Sequence, residues 1–285
     1  MIELRQVSKT FTTTRGTTEA LSGISLAIAR GEFVCLVGPS GCGKTTLLNL
    51  IAGLDQPDSG EVLASGAPIT GPGPDRGVMF QEAALFPWLS VEQNVEFGLK
   101  EQRVRRRERK SRTRRFLELV GMARFAGAFV HELSGGMRQR VALARALALE
   151  PEILLMDEPF GALDARSRDA LQAQVATIWA HTGKTIVFVT HDMAEAVRLG
   201  SRVIVLGARP ARVQKSVDLE ALLPRPRSVD QRAVVELAAH LKRGLDDTDE
   251  MEAAVDAEES HDAGVEPAAR GDRARSGDHR LGVPR

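Results

Sequence analysis

The residues whose types and spacing could do chemistry are concentrated in Gly38-Pro-Ser-Gly-Cys-Gly-Lys44-Thr45-Thr46. Gly38, Gly41 and Gly43 leave the backbone free to turn successive N–H groups into one concavity, the shape that cradles a phosphate. A helix opening at the end of this stretch adds the positive partial charge of its N-terminus. Lys44 would reach β- and γ-phosphates and the Thr45 hydroxyl would hold Mg²⁺, with Pro39, Ser40, Cys42 and Thr46 completing the loop. The ligand such a loop implies is ATP or GTP.

Other stretches end in groups of matching chemistry. Pro151-Glu-Ile-Leu-Leu-Met-Asp157-Glu158-Pro159 is a continuous apolar run closing in two carboxylates, as a buried parallel strand would. Asp157 suits the Mg²⁺ side. Glu158, on the opposite side of the pleat, suits the group that polarises water. Val78-Met-Phe-Gln81 ends in a neutral amide; glutamine at a strand end is usually a solvated loop residue, but beside a phosphate loop it could complete Mg²⁺ coordination or orient the attacking water. Thr185-Ile-Val-Phe-Val-Thr190 ends at His191-Asp192. A lone histidine is more often structural, but ligands gather beyond the carboxyl ends of parallel strands, and this convergence favours catalysis. Leu133-Ser-Gly-Gly-Met-Arg-Gln-Arg140 adds a second helix start, with Ser134 as N-cap and bare backbone at Gly135 and Gly136. Two anion sites far apart in one chain raise the question of whether they meet.

The elements that must position these groups are legible around them. Glu32 to Val37 reads as the strand before the phosphate loop and Leu47 to Gly53 as the helix after it. Ile2 to Val7 and Leu21 to Ile28 alternate apolar and polar residues across a turn-rich Thr12 to Thr18, the pattern of a half-exposed antiparallel sheet. Phe11, at the edge of that turn, could close the sheet's core or stack on a base; local sequence favours the core. Asp55 to Gly60 reads as a turn and Glu61 to Leu63 as a strand. Leu85-Phe-Pro-Trp88 is either a buried loop or a docking surface for a partner's helix. Ser90 to Gly121 reads as helix, and its basic run Arg103 to Arg115 as a solvated face, since no aromatics interleave it.

Lys and Arg together number 38, as do Asp and Glu, so the net charge over 285 residues calls for no nucleic acid or acidic partner. The two cysteines, Cys35 and Cys42, lie in and beside the phosphate loop, where a disulfide would distort the site; both read as reduced and the protein as cytosolic. No signal segment is visible, and no apolar run approaches the roughly 18 residues that cross a bilayer. Residues 228 to 245 suggest a last helix; from Asp246 onward the absence of apolar periodicity predicts a disordered, passive tail.

Taken together, these residues resemble the ATP-binding subunits of ABC transporters over about residues 1 to 225, with every diagnostic motif in order. Walker A lies at 38 to 46, the Q-loop at Gln81, the signature at 133 to 137, Walker B at 153 to 157 with Glu158, the D-loop at Ala162-Leu-Asp164 and the H-loop at His191. The resemblance implies an α/β fold: a P-loop core, an antiparallel β subdomain and an α-helical subdomain inserted at about 89 to 148. A helix at 226 to 245 and the tail at 246 to 285 would follow. It implies two cassettes paired head to tail, ATP and Mg²⁺ on Walker A of one covered by Ser134, Gly135 and Gly136 of the other. It also moves Phe11 to the position whose ring stacks on adenine.

Pro74 to Gln81 with Leu85 to Trp88, Met137-Arg-Gln-Arg140 and Leu223-Pro-Arg-Pro-Arg227 resemble the nitrate/sulfonate/taurine importer group. Implied partners are a second copy, two transmembrane permease subunits and, indirectly, a solute-binding protein, at the cytoplasmic face of a bacterial membrane. Phe11 in place of the commoner tyrosine, and Met137 in place of glutamine, imply weaker ATP affinity with activity retained. A cassette for another solute is the alternative. A nucleic-acid-associated ATPase would carry a coiled-coil insertion or two cassettes, a P-loop kinase would lack the signature, and an inactive cassette would have lost Glu158 or Lys44.

Overall fold

The computed structural model describes residues 1–14, 16–223 and 232–242. The chain opens with β1 (Ile2–Thr13) and β2 (Gly16–Ile28), an antiparallel pair joined by β4 (Ser59–Ala64) and β5 (Ala67–Pro68) in a four-stranded sheet ordered β2-β1-β4-β5. Its apolar alternation buries Ile2, Leu4, Leu26 and Ile28 on one face and leaves the other wet. The hairpin is longer than the sequence suggests. Of the turn expected over Thr12 to Thr18, Thr12, Thr13 and Gly16 to Thr18 are strand: Phe11 pairs with Thr18 and Thr13 with Gly16, because β-branched threonines favour extended backbone.

The second sheet has six strands: β3 (Phe33–Val37), β6 (Arg76–Met79), β7 (Ile153–Asp157), β8 (Thr185–Val189), β9 (Arg202–Leu206) and β10 (Val213–Asp218). Their order is β10-β9-β3-β8-β7-β6, parallel throughout except for the β9–β10 pair. Every residue of β3, β7 and β8 is buried, as in strands covered on both faces. Helix α1 (Lys44–Ala52) contributes Leu47, Leu48 and Ile51 to one apolar cluster with Val34, Leu36, Leu155 and Val187 of this sheet and Ile2 and Leu4 of the other. On the opposite side Phe33 meets Phe188 and Trp179, with ring centroids 6.0 and 5.8 Å apart.

Between β6 and β7 the chain makes three helices that pack on one another, α2 (Val91–Glu101), α3 (Arg106–Leu119) and α4 (Gly135–Ala148). The sequence suggests one helix from Ser90 to Gly121, but it breaks at residues 102–105. Arg103 takes φ 57° and the Val104 N–H bonds back to Leu99 O, a left-handed termination. The reversal lets Phe116 and Leu117 be buried alongside Val95 and Leu99, which outweighs the absence of glycine at the break. Four of the six arginines of α3 are paired: Arg109 with Glu96, Arg112 with Glu108 and Glu150, Arg115 with Glu150 and Arg114 with Glu118.

Two further helices, α5 (Ala165–Thr182) and α6 (Met193–Leu199), flank β8 in sequence. Residues 232–242 are helical, with Val234, Ala238 and Leu241 buried. The expected tail at 246 to 285 lies outside the described residues. Among the described residues no helix is long and apolar enough to cross a membrane.

Candidate functional site

Four neighbouring parallel strands deliver the site. β3, β8, β7 and β6 lie side by side, and their carboxyl ends lead to the Gly38 loop, to His191, to Asp157 and Glu158, and to Gln81. The loop itself is shaped by close approach. A Cβ on Gly38 would sit 2.6 Å from Leu206 O, and one on Gly43, already at φ 125°, would sit 2.8 Å from Ala20 O. Only glycine fits either position. Lys44 is buried and its Nζ donates to Gly38 O and Pro39 O, both at 2.8 Å, which holds the ammonium inside the loop's curve. The Cys42 side chain points away into the core, where burial pushes its thiol up against the opposing charge of Lys44; its backbone alone belongs to the loop.

A cleft of about 570 Å³ is lined by Ser40, Gly41, Gly43, Lys44, Thr45 and Thr46 from the loop, by Gln81 and Glu158, and by Phe11, Thr13, Thr18, Ala20 and Arg209. Phe11 is 40% exposed and not in the core. The long hairpin carries it past the covered part of the sheet to the cleft rim, with Lys9 Nζ 5.4 Å from its ring centroid.

Thr45 Oγ1 donates to Asp157 Oδ1 at 3.1 Å. Burial pushes the Asp157 carboxyl up; the Thr45 bond opposes this, neighbouring Glu158 adds to it, and Lys44 lowers it. A hydroxyl, a carboxylate and the Gln81 amide are hard oxygen donors, a set that suits Mg²⁺ when phosphate oxygens complete it. Among the described residues no cluster of three or more His, Cys, Asp or Glu competes as a metal site.

Glu158 does not continue the pleat as the sequence suggests. Strand β7 ends at Asp157 and Glu158 adopts φ 40°, although its N–H still bonds to Val189 O at 3.0 Å. The left-handed turn swings its carboxylate to the cleft, with Oε2 3.0 Å from His191 Nδ1. A carboxylate oxygen only accepts, so Nδ1 carries the proton. His191 is aimed by its neighbours: Asp192 caps α6 by accepting from the Ala194 and Glu195 N–H groups, and Thr190 Oγ1 donates to buried Glu195 at 2.5 Å.

Ser134 caps α4 by accepting from the Met137 N–H at 3.3 Å. Ser134 and Gly135 are exposed, and Gly136 packs so that a Cβ would lie 3.2 Å from Ser167 Oγ. None of the three lines the 570 Å³ cleft. Gly135 lines instead a separate cavity of about 620 Å³, together with Arg138, Gln139 and Leu163, and Gln81 lines both.

Four residues here have no signal in the sequence, because each acts on irregular backbone that only the fold brings to it, nearby along the chain for Asn94 and distant for the other three. Asn94, fully buried, accepts from Phe86 N–H and donates to Phe86, Leu89 and Ser90 carbonyls. Gln139 donates to Gln81 O, and Arg145 to Ala83 and Ala84 carbonyls. Together they hold the segment from Gln81 to Leu89, from which Trp88 stands out 71% exposed. Phe86 packs on Trp88 and Phe97, so Leu85 to Trp88 is an exposed aromatic patch and not a buried loop. Arg209 holds Gly41 O.

Among known proteins, the chain matches the family model described as ABC transporter over residues 21–161. It is 53% identical over 220 residues to an ATP-binding protein of Brucella abortus, covering 77% of this chain and 84% of that one. It is 48% identical over 218 residues to the nitrate import ATP-binding protein NrtD of Synechocystis sp., covering 76% and 82%. To the taurine import ATP-binding protein TauB of Burkholderia pseudomallei it is 50% identical over 209 residues, covering 73% and 80%. The dimeric ATP-binding cassette MJ0796, solved in a post-hydrolysis state bound to ADP and Pi, superposes with a TM-score of 0.69 at 36% identity, over 77% of this chain and 99% of that one.

Proposed function

The chain belongs to the ABC transporter family of ATP-binding subunits, and from that premise we propose that it hydrolyses ATP to drive import of a small anionic solute such as nitrate, a sulfonate or taurine. The observation that carries the chemistry is the convergence of Lys44, Thr45, Gln81 and Glu158 on one cleft, with His191 bonded to Glu158.

ATP enters with its adenine on Phe11 and its phosphates against the N–H groups of the Gly38 to Thr46 loop. Lys44 leaves the loop carbonyls for the β- and γ-phosphates. Mg²⁺, held by Thr45, Asp157 and Gln81, would neutralise charge on the phosphate oxygens. Glu158 accepts a proton from water as its oxygen bonds to the γ-phosphorus and the bond to the β–γ bridging oxygen breaks, giving ADP and phosphate. His191 keeps Glu158 turned to that water, and Gln81 reports the γ-phosphate to the segment bearing Trp88.

Ser134, Gly135 and Gly136 stand apart from the cleft, so their role is at the ATP of a second copy. We take residues 1 to 225 as the ATP-binding domain, its helical subdomain running from about 89 to 148. The aromatic patch at Trp88 suits a permease segment, and two such permease subunits with a solute-binding protein would complete the system at the cytoplasmic face. The paired arginines of α3 give no support to nucleic-acid binding. Glu158→Gln tests the central role: ATP binding is kept while turnover falls at least ~10²-fold, the scale of about 3 kcal/mol for one positioned electrostatic group. Near-normal hydrolysis in that variant would overturn it.

A further inference from the structure

We propose that Arg209 is a positioning residue for the nucleotide, holding the Gly41 carbonyl and so fixing the Pro39 to Cys42 turn of the phosphate loop. Arg209 sits in the turn between β9 and β10, which the Gly207 N–H closes onto Arg212 O at 3.1 Å. The turn is rooted in the other sheet: Ala211 N–H donates to Ala20 O at 2.9 Å and Ser22 N–H to Ala211 O at 3.1 Å. From this base the guanidinium reaches across the cleft wall. Its Nε and Nη2 both donate to Gly41 O, at 3.1 and 2.5 Å.

Two charged donors on one oxygen fix that carbonyl's direction. A trans peptide is planar, so the Cys42 N–H points the opposite way, where it donates to Pro39 O at 3.3 Å and closes the Pro39 to Cys42 turn. Gly41 is the place where such an anchor matters. At φ 77° and without a Cβ it can rotate its peptide at little cost, which would break that turn bond and swing a carbonyl dipole toward a phosphate. Arg209 is itself exposed and outside the apolar core, so its contact with the loop is separable from folding.

This role presupposes that the cleft binds ATP, and its test separates the two ideas. A fluorescent ATP analogue would be titrated, and ATP hydrolysis followed, with the full chain as wild type, Arg209→Ala, Arg209→Lys and Lys44→Ala. Arg209→Ala should raise both the analogue Kd and the ATP KM about tenfold, the loss of one charge-assisted hydrogen bond, with kcat at saturating ATP changed far less. Arg209→Lys, a point charge without the fork, should recover part of the loss. The nucleotide-free unfolding midpoint should stay within experimental error of wild type. Wild-type affinity in Arg209→Ala, while Lys44→Ala loses binding, would overturn the positioning role and leave the ATP site standing. A drop in kcat with KM unchanged would overturn it equally. No binding by the wild type would remove the ATP site, and with it this role.

Discussion

Glu158 holds a backbone conformation that costs a non-glycine residue about 1–3 kcal/mol and persists only where its surroundings dictate it. Here the surroundings are the last ladder bond to Val189 and the His191 ring, and the result is a carboxylate that faces the cleft instead of the core. The residue type and position were legible from the sequence; the turn was not, because alternation along β7 predicts a side but not a left-handed exit. Phe11 shows the same limit: local pattern favours burial, whereas a hairpin that runs on to Thr13 and resumes at Gly16 places the ring at the rim. If that ring carries adenine, Phe11→Ala should raise the ATP Kd about tenfold or more, as loss of one base–aromatic stack of roughly 1–3 kcal/mol implies. Equal affinity, measured by titration calorimetry, would remove Phe11 from the site.

Glu195, beneath His191, makes a pH-dependent contribution. Burial pushes its carboxyl up, against hydrogen bonds from Thr190 and Gln172. The folded state therefore holds this proton more tightly than the unfolded chain, so the contribution to stability is full below the ordinary value of about 4.3 and declines as pH rises through the raised value. Glu195→Gln removes that titration, so the variant should gain stability relative to wild type as pH rises above the ordinary carboxylate range. Urea unfolding compared at acidic and neutral pH checks it; a difference that does not change with pH would be contrary.

At the scale of elements, the strands and helices that frame the site follow from apolar runs, glycine spacing and a serine cap. What lies between them does not. The break between α2 and α3 has no glycine or proline to mark it, and the segment from Gln81 to Leu89 takes its shape from side chains on α2 and α4. Asn94 is the clearest case: a fully buried amide whose bonds all end on backbone. Asn94→Ala should destabilise by about 1–3 kcal/mol, since buried backbone groups near Phe86 and Leu89 lose their partner. Denaturant unfolding reads this directly, and a change within 0.5 kcal/mol, the scale of ordinary surface substitutions at roughly that size, would contradict it. Trp88→Ala belongs to the same segment with the opposite signature. It should spare ATP hydrolysis in solution and weaken co-purification with the permease; undiminished co-purification would count against docking there.

At the scale of the whole molecule, one fact organises the rest: two helices start behind glycine-bearing motifs, α1 behind Gly43 and α4 behind Ser134, and only the first opens on the cleft. A single copy leaves Ser134 and Gly135 exposed with no phosphate-binding partner loop beside them in that cleft. Two copies head to tail would place each signature over the other's ATP, and glycines at both positions would let backbone approach from either side. The tie between sequence and function is strong here because each half of such a composite site is a local motif, readable without knowing the fold. The measurement that tests this most directly is light scattering of the Glu158→Gln protein with Mg²⁺, with and without ATP. A shift from monomer to dimer on adding ATP, abolished by a bulky substitution such as Ser134→Arg, is the predicted result. A monomer that binds ATP without associating, at concentrations well above those of the titration, would contradict the shared site.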